Sequence, residues 1–232
     1  MGKPLLVLAV IGQKNTGKTR VIEHLVRGLR RRGLKVSTMK HVPEEGFSLD
    51  KPGKDSWRHA EAGALSVTLV APREVSTIRR VGVGDLRFED LVALAAEGCD
   101  VLIMEGFSSL VRDRPEVLKV ITVPSPEEAL RIEEEGSVRP VLAFVGPGGK
   151  PEGLRAAYVD REDLDPLLST IEGLISRLRE VRRGGLRLVV KGKEVPLNPF
   201  IRGLFRKLIL AFITSLKGVE VKEDEEVEVV VS

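Results

Sequence analysis

The chain has 232 residues, 42% hydrophobic, 31% charged and only 4% aromatic, with a formal net charge of +3. That length suits one large domain with a small appendage, and that composition is ordinary for a soluble protein with an aliphatic core. The basic runs at 27–35 and 177–187 carry no interleaved aromatics, so they are expected on solvated helix faces and not in a nucleic-acid groove.

Cys99 is the single cysteine, which excludes an internal disulfide and a Cys-rich metal site and fits a reducing cytoplasm. Gln13, Asn15 and Asn198 are the only side-chain amides, a usage suited to high working temperature, where amides are labile and ion-pair networks gain value. The apolar run 4–11 is too short to span a bilayer, and the run 200–216 is interrupted by Arg202, Arg206 and Lys207. No membrane span is therefore expected.

In chain order, residues 5–11 read as a buried strand, and 18–32 as an amphipathic helix with Val21, Ile22, Leu25, Val26 and Leu29 on one face, stopped by Gly33. Residues 34–39 form a second strand. The stretch 40–56, with Pro43, Gly46, Pro52 and Gly53, reads as a long loop, and long loops inside compact domains are usually functional. Strands are expected at 66–71 and 75–81, then a helix at 88–97. The run 101–104 is a fully apolar strand ending in Glu105-Gly106. Two further strands, 118–123 and 141–145, flank a short acidic helix beginning near Pro126, and a helix over 163–182 closes the domain. Apolar strands alternating with amphipathic helices predict an α/β fold with a mainly parallel sheet flanked by helices, spanning residues 1–182.

After Arg183-Gly184-Gly185 the pattern changes. A hairpin is expected over 186–197, turning at Lys191-Gly192, then a helix capped by Asn198 and Pro199, and a final strand over 226–231. Ile201, Leu204, Phe205, Leu208, Ile209, Phe212, Ile213 and Leu216 share one broad face of that helix. This small ββαβ unit, 186–232, is expected to support subunit or partner contact.

Gly12-Gln13-Lys14-Asn15-Thr16-Gly17-Lys18-Thr19 matches G-x-x-x-x-G-K-[ST] in full, between a buried strand and an amphipathic helix. Its glycines permit backbone conformations that turn successive N–H groups inward around phosphate oxygens. The helix that follows adds its positive N-terminus. The sequence thus predicts a P-loop nucleotide site, with Lys18 on the β and γ phosphates and the Thr19 hydroxyl on Mg²⁺.

A second carboxylate near the metal is expected at the end of a neighbouring strand, where ligands gather in such sheets. Glu105 is the best placed, Asp50 in the long loop is its competitor, and Asp100 precedes its strand and so falls at the far edge. Lys40-His41 ends the second strand at the ligand edge. The polar segment from Asp50 to His59, with the single tryptophan Trp57, is expected to form a substrate or switch loop leading into a helix.

Taken together, these residues resemble the MobB family of molybdopterin-guanine dinucleotide biosynthesis, over roughly residues 4–165. The carrying features are the loop Gly12 to Thr19, Lys40-His41, Asp50-Lys51-Pro52-Gly53-Lys54-Asp55-Ser56 through Ala62-Gly63-Ala64, and the strand ending Glu105-Gly106-Phe107. The resemblance implies GTP binding with Mg²⁺, weak hydrolysis, a cytoplasmic homodimer and cooperation with a MobA-like nucleotidyltransferase that attaches GMP to molybdopterin. It carries Gly12, Lys14, Asn15, Thr16, Gly17, Lys18, Thr19 and Arg20 over as nucleotide-binding residues and Lys18 and Glu105 as the catalytic pair. It also implies Lys54 and Asp55 near the nucleotide or pterin, and Thr19 and Glu105 on the metal, with Asp50 left as the competitor that its place in the long loop suggests. No N-K-x-D element follows the late strand, where Gly146-Pro147-Gly148-Gly149-Lys150 stands, so guanine recognition comes from the resemblance alone. Two other classes share a P-loop: a small-molecule kinase, for which Arg112 and Arg114 would supply a lid, and a GTPase metallochaperone, whose Cys and His clusters this sequence lacks.

Overall fold

The computed structural model describes residues 6–96, 98–183, 188–190, 193–195, 197, 201, 204, 205, 208 and 209. It divides into two compact units, Met1–Ser169 and Thr170–Ser232.

The first unit is built on a six-stranded sheet of β1 (Leu6–Gly12), β2 (Val36–Lys40), β5 (Val101–Glu105), β6 (Val117–Thr122), β7 (Val141–Gly146) and β8 (Ala157–Asp160). Its order is β2-β5-β1-β6-β7-β8, and every neighbouring pair is parallel. Parallel strands covered on both faces must be apolar throughout, which explains the uninterrupted runs read from the sequence. Val101, Leu102, Ile103 and Met104 are all fully buried. One face packs Ala9, Ile11, Leu102, Met104, Val117, Ile121 and Phe144 with Phe88, Phe107 and Val111.

Helix α1 (Lys18–Arg31) buries Val21, Ile22, Leu25 and Leu29, the stripe its 3.6-residue period puts on one side. Each such residue contributes roughly 1.5–3 kcal/mol relative to an exposed one. The α3 (Phe88–Ala95) and α5 (Pro126–Glu135) helices carry acidic first turns, Glu89-Asp90 and Glu127-Glu128, that complement the helix dipole. In α5, Ser125 caps the Glu128 N–H and Pro126 takes the first helical position.

The long loop is followed by α2 (Asp55–Glu61) and by β3 (Val67–Ala71) and β4 (Glu74–Ile78). Among the described residues these two strands pair only with each other, antiparallel, as a separate two-stranded sheet. Arg80 anchors the hairpin to α2 by lying 4.0 Å from the Trp57 ring and pairing with Glu61. A four-residue helix, α4 (Ser108–Val111), follows β5.

Helix α6 (Asp165–Arg183) begins in the first unit and runs on in the second. There, β9 (Leu188–Val190) pairs antiparallel with β10 (Lys193–Val195), and residues 201, 204, 205, 208 and 209 are helical with Leu204, Phe205 and Leu208 exposed. The strand expected at 226–231, and most of the helix after Asn198, lie outside the described residues. Among the described residues no helix is long and apolar enough to cross a membrane.

Candidate functional site

The parallel order brings the carboxyl ends of β2, β5, β1 and β6 to one edge, placing Lys40, Glu105, Gly12 and Thr122 side by side. Lys40 pairs in register with Glu105, Val10 with Glu105, and Gly12 with Thr122.

Gly12 leaves β1 with φ 148°, and a Cβ there would lie 2.3 Å from both the Thr122 carbonyl oxygen and its Oγ1. Only glycine fits. Asn15 (φ 62°) and Gly17 (φ 93°) adopt left-handed conformations that turn the chain into α1. Gly17 is the N-cap of α1, which has no side-chain cap, unlike α5, and no acidic residue in its first turn, unlike α3 and α5. Its first N–H groups are thus available to an external anion.

The Lys18 ammonium folds over the loop and donates to the carbonyl oxygens of Gly12, at 3.0 Å, and Gln13. Burial lowers its pKa from the ordinary lysine value; the Glu105 carboxylate opposes that shift and Lys40 adds to it. Three charges therefore interact across the loop: Lys18, Lys40 and Glu105. Glu105 Oε1 receives both the Lys40 ammonium, at 3.2 Å, and the Thr19 hydroxyl, at a long 3.4 Å. Its side chain is largely sheltered, at 16% exposure. The adjoining turn is rigid: His41 N donates to the Glu105 carbonyl, Gly106 N to the Val10 carbonyl, and the His41 and Phe107 rings lie 5.2 Å apart.

This donor set fits a nucleotide phosphate with Mg²⁺. Loop N–H groups and Lys18 would hold phosphate, while Thr19 Oγ1 and Glu105 would hold the cation, which neutralises phosphate charge and polarises the phosphoryl oxygens. Among the described residues no group of three or more His, Cys, Asp and Glu side chains is arranged so that it could hold a metal ion by itself. A cation shared with phosphates needs fewer protein ligands.

The remaining sequence-derived candidates lie as follows. Asp50 Oδ1 accepts from Lys51 N and the Ser56 hydroxyl, at 2.9 and 2.8 Å, so its carboxylate shapes the long loop. Lys54 is the N-cap residue of α2, and Asp55 opens that helix with its side chain 91% exposed and 3.8 Å from Arg58. Lys14 and Asn15 are exposed on the loop. Arg20 points away to Glu162, which it grips with two hydrogen bonds of 3.0 and 2.8 Å. That pair sits in a shallow polar cleft with His24, Arg27 and Asp165, where Arg20 pairs with Glu162, Arg27 with Glu23, and His24 Nε2 lies 3.1 Å from Asp165.

Asp100 lies at the opposite edge of the sheet, accepting from Lys35 N. Arg114 also lies away from the loop, before the amino end of β6, over the Phe88 ring and paired with Glu89 and Glu116. The arginine lid of a kinase is thus not assembled from this residue.

Sequence reasoning missed Thr122 and the buried lysine of β6. Thr122 is 1% exposed and bonds to the loop; its signal was a lone threonine ending an apolar strand, an ordinary strand residue. Lys119 is fully buried, with its ammonium on the carbonyls of Arg114 and Arg139. It tethers two connections at the edge remote from the loop.

Residues 7–137 match the family described as MobB, molybdopterin guanine dinucleotide synthesis protein B. A putative molybdopterin-guanine dinucleotide biosynthesis adapter protein of Methanocaldococcus jannaschii is 26% identical over 238 aligned positions, covering 97% of this chain and 98% of that protein. The corresponding adapter protein of Escherichia coli K12 is 30% identical over 171 positions, covering 72% of this chain and 91% of its own length. Among solved structures, molybdopterin-guanine biosynthesis protein B aligns with a TM-score of 0.56 and 27% identity over 74% of this chain and 99% of its own. With the P-loop edge built as described, these matches make the chain a member of the MobB family, the adapter proteins of molybdopterin-guanine dinucleotide biosynthesis.

Proposed function

We propose that the chain binds GTP with Mg²⁺ in the loop Gly12–Thr19, hydrolyses it slowly, and works as a homodimer beside a MobA-like nucleotidyltransferase that attaches GMP to molybdopterin. The observation that carries this reading is the meeting of the Thr19 hydroxyl and the Lys40 ammonium on one oxygen of Glu105, directly beside the phosphate loop. A carboxylate so placed is poised to hold a divalent cation and to orient it toward bound phosphates.

Glu105→Gln tests the metal assignment. The neutral amide should weaken Mg²⁺-dependent GTP binding about tenfold or more, while leaving metal-free binding within about twofold, because hydrogen bonds and contacts to a charged group are worth roughly 1.5–3 kcal/mol. Titrations with and without Mg²⁺ read this directly; equal losses in both would give the carboxylate a purely structural role.

The homodimer is supported by the β3–β4 hairpin. A two-stranded ribbon is marginal alone, and this one exposes Leu69, Val70 and Val75, at 42%, 79% and 66%. Replacing Val70 and Val75 together by serine should shift the sedimentation-equilibrium mass toward the monomer. An unchanged mass would move the dimer contact elsewhere.

A further inference from the structure

The Thr16–Thr122 pair has three hydroxyl contacts and two protons to make them. Thr16 Oγ1 lies 2.8 Å from the Gln13 carbonyl oxygen and 2.7 Å from Thr122 Oγ1, and Thr122 Oγ1 lies 3.2 Å from the Ile11 carbonyl oxygen. Each hydroxyl has one proton to donate. Two arrangements keep the hydroxyl–hydroxyl hydrogen bond: in one, Thr122 donates to Ile11 and Thr16 to Thr122; in the other, Thr16 donates to Gln13 and Thr122 to Thr16. A third, with Thr16 on Gln13 and Thr122 on Ile11, leaves no proton between two oxygens 2.7 Å apart. Both hydroxyls are sheltered, with Thr16 at 7% and Thr122 at 1% exposure, so water competes little for them.

The Gln13 carbonyl is also held by the Lys18 ammonium. A carbonyl oxygen has two lone pairs, so Gln13 can accept from Lys18 and from Thr16 at once. When that ammonium turns to a phosphate, the Gln13 carbonyl loses its charged donor and relies on the Thr16 hydroxyl. We propose that Thr122 is a positioning residue for phosphate binding: its hydroxyl, donating to Thr16 Oγ1, turns the Thr16 proton onto the Gln13 carbonyl and holds it there as Lys18 leaves, which keeps the loop in its cradle shape. This deepens, and rests on, the reading of Gly12–Thr19 as the nucleotide site. The same threonine fixes the loop sterically, since its carbonyl and hydroxyl oxygens are the atoms that forbid a side chain at Gly12.

The test is calorimetric titration of the full chain with GTP and Mg²⁺. Thr122→Val keeps the shape and removes the donor, and should weaken binding about threefold to tenfold, the worth of a net neutral hydrogen bond. Thr122→Ser restores the hydroxyl and should bind within about twofold of the unmodified protein. Because Thr122 acts through Thr16, the double variant Thr16→Val/Thr122→Val should bind no more weakly than Thr16→Val alone. Thr122→Ala, which also removes the donor, replaces the valine variant should that fail to fold, with at least the same loss expected. The proposal is overturned if Thr122→Val binds like the unmodified chain, if Thr122→Ser loses as much as Thr122→Val, or if the Thr16 and Thr122 losses multiply. Failure of the nucleotide-site reading itself is distinguishable, because Lys18→Ala would then bind GTP normally.

Discussion

Lys18→Ala is expected to lower GTP affinity about 100-fold or more while leaving the thermal midpoint nearly unchanged. The ammonium is the one side-chain cation that reaches over the loop from within it, at 3.0 Å from the Gly12 carbonyl. Charge-assisted contacts to phosphate are worth roughly 1.5–3 kcal/mol each, and a lysine shared between two phosphates makes more than one. Lys40 is held on Glu105 and Arg20 on Glu162, so neither neighbour replaces it. In the folded chain Lys18 contributes only two carbonyl contacts at an exposed site, and their loss costs little stability. Calorimetry and a thermal melt on the same sample check both halves; unchanged GTP affinity would remove the loop from the phosphate site.

Gly12→Ala should damage binding and stability together. Its Cβ would meet the Thr122 carbonyl oxygen at 2.3 Å, a backbone atom that cannot swing aside, and φ 148° is closed to alanine in any case. Strain of this kind costs roughly 1–3 kcal/mol. For a chain of this size that corresponds to a fall in melting temperature of about 3–10 °C. Because the loop and β6 must separate to admit the methyl group, GTP affinity should also fall about 100-fold, as the inward N–H groups lose their common centre. A variant that melts normally and binds GTP would show that the Gly12–Thr122 approach is not what shapes the cradle. Lys18→Ala and Gly12→Ala thus separate charge from shape.

The central strands were legible because burial on both faces forces an unbroken apolar run: β1, β5, β6 and β7 lie within a residue or two of their expected bounds. α1 was legible from its stripe and from Gly33, which takes φ 77° as expected of a helix stop. β8 was not, because it is a four-residue edge strand whose residues are mostly half-exposed, with only Val159 buried. α4 has too few residues to show a period. The strands at 66–71 and 75–81 were expected, but nothing in their composition distinguishes a separate antiparallel ribbon from strands of the main sheet. In the site, the loop and Glu105 were legible because local spacing and strand ends encode them. The partners of Arg20 and Thr16 were not, since Glu162 and Thr122 stand 142 and 106 residues away and only the fold brings them near.

The most direct measurement is calorimetric titration of the unmodified full chain with GTP and, separately, ATP, each with and without Mg²⁺. Saturable binding of GTP at one site per chain, tightened by Mg²⁺ and stronger than that of ATP, is the predicted result. No saturable binding of either nucleotide, or binding indifferent to Mg²⁺ and to the Lys18→Ala change, would contradict a GTP site at Gly12–Thr19.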